Sequence, residues 1–118
     1  MATRIDGPGL AKLETLDHAL TMWQRLHSIV EHMAGAQRMQ QNVGPFKQQV
    51  QRAATPLASL LKPQFEPISD MATGIVLVTT RGGSDLTRVR SLRESVAQVK
   101  VQIEAAQSRV RKDHTVSD

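Results

Sequence analysis

Two pairs in the first third of the chain, Glu14 with His18 and His27 with Glu31, each stand four residues apart. On a helix that spacing places both side chains on one face, so each pair offers a metal ion two ligands. A complete site needs more. A di-metal bundle draws inward-facing carboxylates and histidines from several helices, yet the rest of the chain has no Glu-x-x-His and few carboxylates among its apolar residues. No metal and no cofactor are expected. His32 is the best candidate for a phosphotransfer histidine, because the small Gly35 follows within one turn. A phosphate there would want a nearby cation, but the adjacent residue is Glu31 and the next downstream base is Arg38. There is no Ser-His-Asp spacing, glycine-rich phosphate loop or acidic pair. The chain reads as non-enzymatic, with a phosphotransfer or sensory four-helix bundle as the third-ranked function.

Charge points to binding instead. Residues 81–118 carry eight Lys or Arg against five Asp or Glu, whereas residues 1–80 carry seven against six. The net charge of +4 therefore sits mostly in the last third. Arg88, Arg90, Arg93, Lys100, Arg109, Arg111 and Lys112 are the residues that an anionic partner would meet, unless they pair with Asp17 and Glu31 of the first helix. Phosphate contacts need such cations along one exposed face, which makes a nucleic-acid-binding module the alternative function. Against it, the segment has no aromatic residue to stack on bases and no repeated basic motif.

Those residues must be held by helices. The chain has 118 residues, 40% hydrophobic and 22% charged, the composition of one ordinary folded domain over 1–118. Aromatic residues are limited to Trp23, Phe46 and Phe65, so the core is aliphatic and suits closely packed helices. Zero cysteines exclude disulfides, thiolate zinc sites and thiol chemistry, and agree with a cytoplasmic or other intracellular setting. No apolar run approaches the ~18 residues of a spanning helix, and MATRIDGPG lacks the pattern of a signal peptide; no membrane insertion is expected.

Asp6-Gly7-Pro8-Gly9 starts a first helix, and Gly44-Pro45 is the next clean stop, giving a helix over about 9–42. A second runs over 46–62, with Thr55-Pro56 expected to kink it or break it in two. A third covers 67–80 and ends at Gly82-Gly83. Its segment Ile75-Val76-Leu77-Val78-Thr79-Thr80 is β-branched enough to be a strand, but a lone strand would have no partner inside the chain, and helix is the expectation. Ser84 and Asp85 cap a fourth helix that runs to about 112, leaving residues 1–8 and 113–118 as flexible ends.

The fourth helix carries an unbroken heptad seam of Val89, Leu92, Val96, Val99, Ile103, Ala106 and Val110. The first is apolar on two adjacent seams and needs neighbours on both. The fold class is therefore all-α, an antiparallel up-down-up-down helical bundle with long first and last helices and a coiled-coil-like stalk. The stalk follows from length. Helices two and three are about half as long as the others and would cover only residues 25–43 and 85–97. Leu13, Leu16, Leu20, Trp23, Val99, Ile103 and Val110 would then be half wet, forgoing roughly 5 to 10 kcal/mol. Those seven become the expected partner interface, for a homodimer or a helical hetero-complex, and the protein reads as an assembly module. If helices two and three slide down the stalk, the same residues close a compact monomer.

Overall fold

The computed structural model describes residues 3–117. Four helices, α1 (Gly7–Arg38), α2 (Gly44–Leu61), α3 (Glu66–Thr80) and α4 (Asp85–His114), are flanked by two short strands, β1 (Thr3–Ile5) and β2 (Thr115–Ser117). The connections between helices are short, which makes successive helices antiparallel neighbours. The result is an all-α up-down-up-down bundle in which α1 and α3 each pack on both α2 and α4. It measures 59 × 23 × 17 Å. None of the described helices is long and apolar enough to cross a membrane.

Local chemistry sets the helix ends. Asp6 caps α1 by accepting from the Gly9 amide at 2.7 Å, with Pro8 in the first turn where its missing N–H costs nothing. The helix stops at Arg38, a turn before the expected 42, because Gln40 enters the left-handed region with φ 56°. The Gln41 amide then donates to Ala36 O at 2.9 Å and the Gln40 amide to Gln37 O at 3.0 Å, satisfying two orphan carbonyls. A non-glycine residue pays roughly 1 to 2 kcal/mol for that conformation. Val43 is buried immediately afterwards, so the chain has turned back before Gly44-Pro45 opens α2.

Pro56 does not break α2, which is continuous through it. The position explains why: Arg52, whose carbonyl loses its helical donor, and Pro56 itself are both exposed, so the freed carbonyl lies on the solvent side of the helix. Residues 75–80 are helical, with Ile75, Val78 and Thr79 buried and Leu77 exposed, a three-four pattern rather than an alternation. Buried polar links tie α3 to α2. Ser69 Oγ donates to Ala58 O at 2.7 Å, and Gln51 Nε2 donates to Thr79 Oγ1 at 2.7 Å.

The half-wet stalk does not exist. Leu16, Val99 and Ile103 have no exposed surface, Trp23 and Val110 are buried, and Leu13 and Leu20 are partly buried against the same core. The short pair reaches well past residues 25 and 97, where its cover of the long pair was expected to end. The α2–α3 connection carries Phe65 and Ile68 down to Ala106, Val110 and Lys12, with which they line one cavity. Beyond them the ends expected to be flexible are paired: α4 continues to His114, and Thr3↔Ser117, Arg4↔Val116 and Ile5↔Thr115 form an antiparallel ribbon. Met1, Ala2 and Asp118 lie outside the described residues.

Since the seam is interior, charging it should unfold the chain rather than merely separate copies. Ile103→Glu places an unpaired carboxylate where no water reaches, a cost of several kcal/mol against a typical net stability of about 5 to 15. Far-ultraviolet circular dichroism is expected to show lost helicity; retained helicity and cooperative unfolding would contradict an interior seam.

Candidate docking groove

The long helices are locked by pairs that repeat in register. Asp17 Oδ1 accepts from Gln107 Nε2 at 3.0 Å, and two heptads further along α1, Glu31 pairs with Arg93 at 2.9 Å, two heptads earlier on α4. Arg93, Lys100 and Gln107 thus share one heptad position on α4. Between the outer pairs sits Trp23. Its Nε1–H donates to Val96 O at 2.8 Å, its face stacks on His27 with centroids 4.8 Å apart, and Lys100 Nζ lies 5.2 Å from the ring centroid. Pairing to Glu31 was one of two alternatives for the basic helix; the Trp23 cluster was not foreseen. Trp23 is spent on joining α1 to α4, and with its indole N–H satisfied it is core, not a free anchor.

On the outer side of this seam the two helices leave an open groove of about 670 Å³. Its floor is Trp23, Val30, Val96 and Ala97, with Val101 on one wall. Arg90, Arg93 and Lys100 line its rim with Glu31 and Glu94. Val101 is 52% exposed, one of the few large apolar side chains left on the surface. An apolar floor between charged rims suits a protein segment better than a small polar substrate.

The expected anionic-partner face is divided by the structure. Arg88 is buried, donating to Asp85 Oδ1 and to Arg81 O, both at 2.7 Å, so it fastens the start of α4 to the end of α3. Arg90, Arg93 and Lys100 border the groove, and Arg93 is already paired. Arg109 faces the other way, lining a cavity with Phe65 and Met71 of the α3 side. Arg111 and Lys112 are exposed in the last turn, beside the negative end of the α4 dipole. No single face carries all seven.

His32 is exposed, as are Glu14 and His18; His27 lies on Trp23, and Glu31 on Arg93. Neither four-residue pair converges with a third ligand, and among the described residues no group of three or more acidic or histidine side chains could hold a metal ion.

One constellation escaped the sequence reading. His114 Nδ1 stands 2.9 Å from Asp6 Oδ1, while Lys12 Nζ is 3.2 Å from His114 Nε2. A carboxylate only accepts, so Nδ1 carries the proton and Nε2 accepts from the lysine. This line resembles the orienting half of a catalytic triad. The adjoining cavity of about 290 Å³, however, is lined by Lys12, Gln64, Phe65, Pro67, Ile68, Met71, Gln102, Ala106, Arg109, Val110, Asp113 and His114, with no hydroxyl or thiol to activate. The trio acts as a clasp. Asp6 caps α1 and holds the last residue of α4, with the ribbon continuing beyond. Gly9 permits the approach: a Cβ there would lie 2.5 Å from His114 Cβ and 2.6 Å from Ile5 Cγ2. The only cues in the sequence were an aspartate cap, a glycine inside a helix start and a histidine more than a hundred residues away.

No protein-family model, curated protein or solved structure matches this chain, so its function is read from its own surface.

Two outcomes test the clasp. Gly9→Ala forces a methyl group into the His114 side chain and the ribbon, and a lower urea midpoint with faster exchange of the Ile5 and Thr115 amides is expected; an unchanged midpoint would contradict the close approach. The Gly9 amide, with His114 and Lys12, holds the Asp6 carboxyl below its ordinary value. A depressed carboxyl contributes stability above its unfolded pKa of about 3.9 and loses it as pH falls through the lower folded value. Acidification from pH 5 to 2 should therefore cost the wild type more stability than it costs Asp6→Ala, as read from urea midpoints at each pH; parallel curves would refute the linkage.

Proposed function

We propose that the chain is a non-enzymatic helical docking module that receives a protein partner in the groove between α1 and α4. The observation that carries this reading is the groove itself: an apolar floor that includes exposed Ala97, a wall with exposed Val101, and bordering cations of which Arg90 makes no ion pair among the described residues. The seven seam residues contribute by building the wall behind it rather than by meeting the partner. Leu13, Leu16, Leu20, Trp23, Val99, Ile103 and Val110 fix the spacing of the two helices, and the groove is the outer face of that spacing. The nucleic-acid reading is weaker here, because Arg88 is buried, Arg93 is neutralised and Arg109 points elsewhere.

A photo-crosslinking residue at position 101, compared with one at the equally exposed position 77 on α3, tests this reading in the native host. Protein adducts from 101 that are absent from 77 are expected. No adduct from 101, or equal labelling from both, would reject the groove as a docking surface.

A further inference from the structure

The outer face of α4 carries opposite charges placed symmetrically about one small residue. Arg90, Glu94, Ala97, Val101, Glu104 and Ser108 advance by alternating steps of four and three and are all exposed. These are the outward-facing positions of α4, opposite the buried seam, and among their charges stands the apolar pair Ala97 and Val101. Ala97 is at the centre. One heptad before Ala97 stands Arg90 and one heptad after it stands Glu104, opposite charges at equal and opposite distances. Among the described residues neither makes an ion pair, although Arg88 and Arg93 do.

We infer that the groove is filled by a second copy of this chain, with two α4 helices crossing antiparallel about a two-fold axis at Ala97. The inference rests on the docking reading above and names its occupant. An isologous interface must be self-complementary, each residue meeting the one at the reflected position. Reflection through Ala97 sets Arg90 against Glu104 of the other copy, and by symmetry Glu104 against Arg90, so both unpaired charges are satisfied at once. The methyl group of Ala97 lets the helix backbones approach closely at the centre, and Val101 of each copy comes level with the side-chain stems of Arg93 and Glu94 of the other. Lys100 comes level with the Glu31–Arg93 pair of the second copy, giving that carboxylate a cation on either side. A different acidic partner would leave Glu94 and Glu104 facing like charge, which disfavours it relative to the chain itself.

Sedimentation velocity of the full chain over a concentration series, with Arg90→Glu, Glu104→Arg and the double variant, tests this. The wild type is expected to dimerise. Each single exchange sets two symmetric like-charge contacts in the interface and should weaken the dimer on the order of tenfold, while the double exchange restores the pairing and the affinity. Both exchanged positions, Arg90 and Glu104, are exposed, so folding is not at risk, and circular dichroism confirms it. A wild type that is monomeric at every concentration overturns the inference, as does a dimer indifferent to the single exchanges or one that the double exchange fails to rescue. If the wild type stays monomeric while a crosslinker at 101 captures another protein, the second-copy occupant is wrong and the docking reading stands.

Discussion

The antiparallel register of α1 against α4 is the constraint from which the rest of the molecule follows. It is fixed at three heights, by Asp17 with Gln107, by Trp23 reaching the Val96 carbonyl under Lys100, and by Glu31 with Arg93. Of these only the Trp23 bond is buried, so most of the stabilisation comes from the apolar seam and the polar pairs select its register. A slip of one residue would turn Leu16 and Ile103 out of the core and strand the indole N–H. With the register fixed, the N-terminus of α1 lies beside the C-terminus of α4. There opposite dipole ends meet, and Asp6 and His114 bring the chain ends together as a ribbon.

Coverage of that pair depends on where the two short helices sit. α2 and α3 are too short to span the long helices, and where they sit decides which residues are wet. The left-handed Gln40 sends the chain back at Arg38, and the short pair reaches far enough for Phe65 to meet the level of Val110. What remains open is the opposite side of α1 and α4, which neither α2 nor α3 can reach. A four-helix square has an outer face on every pair; the α1–α4 face combines a groove of about 670 Å³ with exposed Ala97 and Val101.

Much of this was legible in the residues. The heptads of α4, the two seams of α1, the four helices and the pairing of Glu31 all follow from periodicity, because burial on a helix repeats every three or four residues. The early end of α1 was not legible, since its signal is a glutamine adopting a conformation that favours glycine, and Gly44-Pro45 nearby was the stronger stop. A wet stalk was expected because helix lengths alone do not say how far down the long pair the α2–α3 connection reaches. The continuity of α2 was hidden because proline's cost depends on whether its lost acceptor faces solvent, which Thr55-Pro56 alone does not say. The clasp depends on contacts between the two ends of the chain. The groove was missed for another reason: a search for apolar seams passes over Ala97 and Val101, which stand among charges.

The central claim is that α1 and α4 of one chain close on each other, leaving their outer face for a partner. The chain has no cysteine, so spin labels at Glu31→Cys and Arg93→Cys report this distance cleanly, at the cost of one exposed ion pair. The measurement is the electron dipolar distance in labelled protein diluted into excess unlabelled chain. A single short distance that persists on dilution, set by helix axes about 8 to 10 Å apart, is the expected result. A distance that disappears on dilution would mean that the seam closes between chains, and the account would be wrong.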